Sequence, residues 1–384
     1  MIPFARVLTY NNVIKVGEVQ DMSCGIRHVM MLRNNGDLYS IGQNSTSQCG
    51  LNNKTIDARN KWNKCTISSV KRIICGGYSS IAITNDNKVM MCGRKSPLNF
   101  PNDTVNIYET WTDISDKFSQ FNIDTVQIYM SSFNIFVQDG KNLYSMGNAF
   151  NAAYSTGSGL TTSSSTFVLV HTDAVKIIKS DYMTVSFIID SNRDVWGAGT
   201  GAYGTFGNGT SKGDILAFQK LTCPIKVNCI SVNVRGGALF YGDTSVYMTG
   251  SYISGGLGDG NTGNAEYTAF TLNNLIPGGM NVGEVRDGSL QTSPAVSLVL
   301  VGDTLWETGY DTYGAGGTGS STSNRTIFAP LNVQPNLSNS TITATQYTSY
   351  VWNEGEVWGS GDPESLPSLT GWFSFTKITL PWEL

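Results

Sequence analysis

Residues 38–42 read Leu38-Tyr39-Ser40-Ile41-Gly42, and the same pattern of an apolar residue, commonly a ring, two variable positions and a glycine returns along the chain. It recurs as Val89-Met90-Met91-Cys92-Gly93, Leu143-Tyr144-Ser145-Met146-Gly147 and Val195-Trp196-Gly197-Ala198-Gly199. Three further copies are Val246-Tyr247-Met248-Thr249-Gly250, Leu305-Trp306-Glu307-Thr308-Gly309 and Val357-Trp358-Gly359-Ser360-Gly361. The seven anchor glycines, Gly42, Gly93, Gly147, Gly199, Gly250, Gly309 and Gly361, stand 51 to 59 residues apart. A period of this size marks a repeat architecture, in which each unit buries its apolar faces against its neighbours.

Each unit has the same internal order. An apolar run leads through a polar turn into the anchor strand, as in Val29-Met30-Met31-Leu32, Asn34-Asn35-Gly36-Asp37 and Leu38-Tyr39. Asn-Gly supplies the positive φ angles of a tight hairpin, and Asp139-Gly140 and Glu354-Gly355 hold the same place in other units. Further strands are expected upstream, at 70–75, 126–130, 175–178 and 282–285. Downstream lies a glycine-rich loop, with Gly50, Gly207, Gly258 and Gly317 each eight residues past an anchor. A glycine fixed at that offset predicts positive φ or close packing. The second and seventh loops, Arg94-Lys95-Ser96-Pro97 and Asp362-Pro363-Glu364-Ser365, lack it and should differ in shape.

No run of 11 residues or more carries a helical period. The expectation is one all-β domain over 1–384, a seven-bladed β-propeller with blades of about four antiparallel strands, its ring closed by N- and C-terminal strands. The tail Trp372-Phe373-Ser374-Phe375-Thr376-Lys377-Ile378-Thr379-Leu380-Pro381 is expected to complete a blade begun near the N-terminus, where the first unit lacks a full preceding strand.

Ser23-Cys24-Gly25-Ile26-Arg27-His28, Gly42-Gln43-Asn44 and Gln48-Cys49-Gly50-Leu51 resemble the regulator of chromosome condensation repeat. That repeat runs Gly-x-x-His, apolar strand, Asp-Gly turn, Trp-Gly-x-Asn and Gly-Gln-Leu-Gly. The resemblance covers roughly residues 17–384. It implies a seven-bladed propeller and a structural role for His28. It does not imply one activity, because the family includes a GTPase exchange factor, ubiquitin-ligase modules, secreted enzyme inhibitors and phage virion components.

Composition limits the function. Asp, Glu, Lys and Arg make up 14% of the chain against ~25% in ordinary soluble proteins, and the net charge is −4. An acidic chain without a basic arm disfavours nucleic acid as a partner. No apolar run reaches the length of a membrane-spanning helix, and the start has no apolar stretch of signal-peptide length. The seven cysteines show no C-x-x-C pair and are read as free structural thiols.

Chemistry-bearing motifs are sparse. The two histidines, His28 and His171, form no recognisable dyad, and no nucleophile elbow, zinc motif or P-loop occurs. Gly199-Thr200-Gly201-Ala202-Tyr203-Gly204 fits G-x-G-x-x-G formally, but no βαβ unit surrounds it. Asp259-Gly260-Asn261 lacks the glutamate of a calcium loop. No catalytic residue, cofactor or metal is therefore expected, and the chain is read as a binding protein rather than an enzyme.

The candidate contact residues are the loop aromatics Phe150, Tyr203, Tyr252, Tyr310 and Tyr313, since rings among Gly, Ser, Thr and Asn suit recognition surfaces. Tyr203 and Tyr313 share one offset from their anchors, which equally suits packing between blades. Low charge, absence of helices and Gly/Ser/Thr/Asn richness point to a phage virion component of tail, fibre or baseplate, assembled in the host cytoplasm. Its expected partners are other virion proteins or a host surface receptor or glycan. The alternatives are a cytoplasmic scaffold or GTPase exchange factor, and a protein inhibitor of an enzyme.

Overall fold

The computed structural model describes residues 19–98, 106–148, 156–180, 185–233, 236–251, 255–261, 263, 265–285, 290–292, 296–311, 313–320, 323–332, 337, 340–353 and 355–383. Seven four-stranded antiparallel sheets follow one another along the chain, each built from four consecutive strands. The first blade comprises β1 (Val19–Cys24), β2 (His28–Arg33), β3 (Leu38–Gly42) and β4 (Ala58–Lys64). The other blades span 70–113, 127–171, 174–220, 229–272, 290–330 and 341–377. The first strand of each is innermost, and β1 lies beside both the innermost strand of blade 2 and that of blade 7. That adjacency closes the ring as expected from the seven anchors.

Middle strands are largely apolar because both their faces are buried. Val29 and Met31 point to blade 7, whereas Met30 and Leu32 point to blade 2, the alternation that a strand imposes. Seven apolar clusters result, one at each interface between neighbouring blades. Inner strands are more polar; in β1 only Val19 and Met22 are buried.

The anchor glycines have a steric cause. All seven adopt positive φ, from 79° at Gly250 to 139° at Gly147. A Cβ on Gly42 would lie 2.3 Å from the Arg27 carbonyl oxygen, and one on Gly361 2.2 Å from that of Tyr347. The anchor strand thus abuts the turn between the first two strands of its own blade, and only glycine fits.

The glycines eight residues on join one blade to the next. Gly50, Gly207, Gly258 and Gly317 have φ between 61° and 69°. Each sits under a ring from the outer strand of the following blade: Trp111, Phe270, Phe328 and Phe375 respectively. Gly157 does the same beneath Phe218. Two residues past three of them, the amides of Gly209, Gly260 and Gly319 donate to Thr268, Thr326 and Phe373 carbonyls of that neighbouring strand. Loops two and seven differ, as their sequences predict. They form 3-10 turns, Ser96–Leu98 and Pro363–Ser365, and bury Leu98 and Leu366 instead.

Two expectations are corrected. The tail does not complete the first blade: Trp372–Lys377 pairs with Val357–Gly361 as the outer strand of blade 7, and β1 gives the first blade its own inner strand. The polar pattern of Val19–Cys24 concealed a strand from sequence reading, because Gln20 donates to the Lys71 carbonyl and Ser23 accepts from the Cys75 amide of blade 2. The terminal segments seal the ring through side chains. Ile378 and Leu380 pack with Val29 and Met31, and the Trp382 ring lies 5.5 Å from Tyr39 with Arg33 over it. Residues 282–285 are not a strand either. Val282–Glu284 is a 3-10 turn, and Val282 with the following Val285 plugs the interface of blades 5 and 6; the inner strand of blade 6 is Leu290–Thr292.

Two outcomes follow. Gly258→Ala should lower stability by about 2 kcal/mol, since it meets the Phe328 ring and disfavoured φ together. Gly209→Ala, with open space around it, should cost only about 1 kcal/mol; guanidinium unfolding midpoints compare the two. Deleting 372–384 should abolish cooperative unfolding; a truncated chain that melts like the intact one would refute the sealing role of this segment.

Candidate functional site

The disc has two unlike faces, set by strand direction. Turns between the first and second strands, and loops between the third and fourth, emerge on one side, here the loop face. The tight hairpins and the connections between blades emerge on the other, the hairpin face. Among the described residues the hairpin face holds most of the ion pairs: Lys64–Asp37, Lys71–Asp124, Lys141–Asp173, Arg193–Asp243 and the Asp194 pairs with Lys220 and Lys226 are examples. Several join neighbouring blades. The carboxyls of Asp194 and Asp243 are held below the usual range by hydrogen bonds from these cations. This face satisfies its own charge.

The loop face carries apolar groups in the open. Half of the large exposed apolar side chains among the described residues stand on it: Ile56, Leu160, Tyr203, Tyr310, Tyr313 and Leu369. Tyr203 is 48% exposed, Tyr313 43% and Tyr310 37%. Tyr313 packs against Tyr347 with centroids 4.2 Å apart and the rings tilted by 41°, and the Arg27 guanidinium lies 5.3 Å from the Tyr347 ring centre. Arg27 Nε also donates to Gln346 Oε1 at 3.0 Å, and Glu364 stands 3.9 Å from Arg27 and from Arg59. These groups form an aromatic and charged patch over blades 6, 7 and 1.

The sequence candidates divide. Tyr310 and Tyr313 lie in blade 6 and Tyr203 in blade 4, so they are separate parts of one face. Phe150 and Tyr252 lie outside the described residues. Tyr347 and Arg27 escaped sequence reading because they sit in turns between first and second strands. The signal was their position opposite the anchor glycine, whose missing Cβ makes room for that turn.

The remaining candidate groups make packing and hydrogen-bond contacts. His28 is fully buried, with Nε2 2.8 Å from Ser80 Oγ of blade 2, which donates to the Gln48 carbonyl. Burial pushes its pKa down to about 3, so the ring stays neutral. His171 lies edge-on against Trp196 at 4.7 Å, and its Nδ1 accepts from the Asp173 amide. Asp259 accepts from Tyr267 Oη and Asn261 Nδ2. All seven cysteines are free thiols, five of them buried.

One buried acidic pair is unusual. Glu307 is fully buried, with Arg325 Nη1 3.4 Å from Oε2. Burial raises its pKa to about 8, and neighbouring Asp311 is raised in the same direction. A carboxyl raised in the fold stabilises it fully below its unfolded pKa, and that contribution is lost as pH rises through about 8. Glu307→Gln should therefore flatten the fall in melting temperature between about pH 5 and about pH 9. An unchanged slope in thermal melts across that window would contradict the assignment.

No protein-family model matches the chain, and no curated protein matches it in sequence. Solved structures do resemble it. Yeast RCC1 (Prp20) bound to Kap60 superposes with TM-score 0.72 at 15% identity, covering 91% of this chain and 84% of that one. Prp20p from Saccharomyces cerevisiae, studied for its binding to Gsp1p and histones, gives 0.71 at 15%, covering 92% and 88%. Human WBSCR16 gives 0.69 at 14%, covering 90% and 95%. The blade count, the strand order and these likenesses agree that the chain has the fold of an RCC1-like repeat propeller.

Proposed function

We propose that the protein is a non-enzymatic binding propeller that docks a macromolecular partner on its loop face. The observation that carries this is the division of the two faces. Exposed rings and aliphatic chains gather on the loop face, while the hairpin face is closed by its own ion pairs. Exposed Tyr beside Arg is the composition of interaction hot spots. A rigid ring also suits recognition, because little conformational entropy remains to be lost on docking.

The setting we propose is a phage virion, as a tail, fibre or baseplate component or a host-recognition module. Low charge, Gly/Ser/Thr/Asn richness and a closed β-structure that dispenses with disulfides support it. The RCC1-like fold also accommodates a cytoplasmic scaffold or exchange factor, and that alternative has its own readout.

A photo-crosslinking residue at position 313 should capture a partner in particles purified from the source, whereas one at 86 on the hairpin face should not. Capture from 86 alone would reverse the assignment of faces. Absence of the chain from purified particles would remove the virion setting. Acceleration of nucleotide release from a small GTPase would install the exchange-factor reading in its place.

A further inference from the structure

The outer strand of a blade presents an edge of backbone N–H and C=O groups, and an open edge is a template for a further strand. Among the described residues, the outer strands of six blades are guarded. In blades 4 to 7 the loop of the preceding blade bonds to the edge: the amides of Gly159, Gly209, Gly260 and Gly319 donate to the carbonyls of Leu216, Thr268, Thr326 and Phe373. Single bridges join the same partners, Ser158 to Ala217, Asn208 to Ala269, Asp259 to Ile327 and Thr318 to Ser374. In blade 2 the Trp111 ring N–H donates to the Gly50 carbonyl at 3.1 Å, and Lys54 pairs with Glu109 at 2.7 Å. In blade 1 the outer strand carries Arg59, Lys61 and Lys64, and Arg59 stands 3.9 Å from Glu364 of the seventh loop.

Blade 3 has neither device. Its outer strand, Ser164–His171, reads Ser-Ser-Thr-Phe-Val-Leu-Val-His and contains no Asp, Glu, Lys or Arg. Burial lowers the pKa of His171, which is therefore uncharged at neutral pH. Every other outer strand carries at least one charge, such as Glu109, Lys220, Glu266, Arg325 or Lys377. The second loop, residues 94–106, contains no glycine of the kind that lets the other loops reach across. Among the described residues, no loop makes a backbone hydrogen bond to 164–171. The strand is nevertheless held firmly in place, since Phe167 packs against Phe118 and Phe121 with centroids 5.2 and 5.1 Å away. Leu169 is left 47% exposed.

We infer that this strand is a self-pairing edge: Ser164–His171 of one copy of the chain adds antiparallel to the same strand of a second copy, joining two blades into one continuous sheet. The charge pattern selects this occupant. Two copies of one strand paired about a two-fold axis bring each side chain close to its own kind, so any charge on the strand meets a like charge. Ser164–His171 is the outer strand that escapes this cost. Its Thr, Phe and Val residues also favour pairing on a pleated surface. Strands run along the axis of the disc, so antiparallel pairing at the rim turns the two loop faces in opposite directions and leaves both open. The inference is independent of the docking assigned to the loop face.

Sedimentation velocity of the full chain over a range of concentrations is the test, and a reversible dimer is expected. Leu169→Lys places a charge on the edge and should weaken the dimer about tenfold or more. Leu272→Lys is the control: that side chain is 39% exposed on the outer strand of blade 5, whose edge is already bridged, and the dimer should persist. Amide hydrogen exchange at 164–171 should slow as the dimer forms. Melting temperatures of the variants check their folding. A chain that stays monomeric at every concentration would overturn the inference, as would a dimer that a folded Leu169→Lys variant leaves intact. Slowed exchange at 164–171 in a monomer bound to a different protein would assign the edge to that protein and equally overturn self-pairing. Crosslinking at position 313 is unaffected by any of these results, so failure at the rim and failure at the loop face are told apart.

Discussion

A glycine held at positive φ beneath a ring from the next blade is the contact on which the disc depends. Each sheet is buried on both sides, so no blade is complete alone; its apolar faces belong half to itself and half to its neighbours. Face-to-face packing of apolar side chains drives association but does not by itself set the angle between sheets. The loop that leaves each anchor strand sets it, by reaching across to the neighbour's outer strand. Where loop glycine and ring meet, as at Gly207 with Phe270, the spacing is fixed to the size of a missing methyl group.

Closure is the same problem met at the chain ends. Blade 7 lacks the loop glycine, and a different device stands there. Leu366 enters the core, the Gln346 backbone N–H donates to the Ile26 carbonyl, and the Ile378–Trp382 segment covers the first blade. The seam thus gathers Arg27, Arg59, Glu364, Tyr347 and Tyr313 on the loop face. Structural necessity and surface chemistry coincide there: polar and aromatic groups that finish the ring are also the groups a partner would meet.

The two faces differ because two kinds of connection emerge on them. Tight hairpins favour Asn, Asp and Gly and stand close to the connections between blades, so short ion pairs form readily. Loops after the anchors are long, and their glycines leave side chains such as Tyr203 projecting. Recognition is accordingly expected where the loops are, since the scaffold under them is rigid and the loops themselves are free to differ from blade to blade.

The seven anchors, the hairpins and the glycines eight residues on were legible in the sequence, because each answers to a local rule: positive φ, strand alternation or turn chemistry. The number of blades followed from their period. What sequence reading missed was nonlocal. Val19–Cys24 is a strand whose polar Gln20 and Ser23 find their partners on the inner strand of blade 2 only once the blades are side by side, and 282–285 is apolar because it plugs an interface rather than because it extends. The partners of Gly50 and Gly317 and the contact of Tyr347 with Tyr313 depend on how sheets and loop limbs are set side by side. Local conformational preference is written residue by residue, whereas the angle between packed sheets is decided by all of them at once.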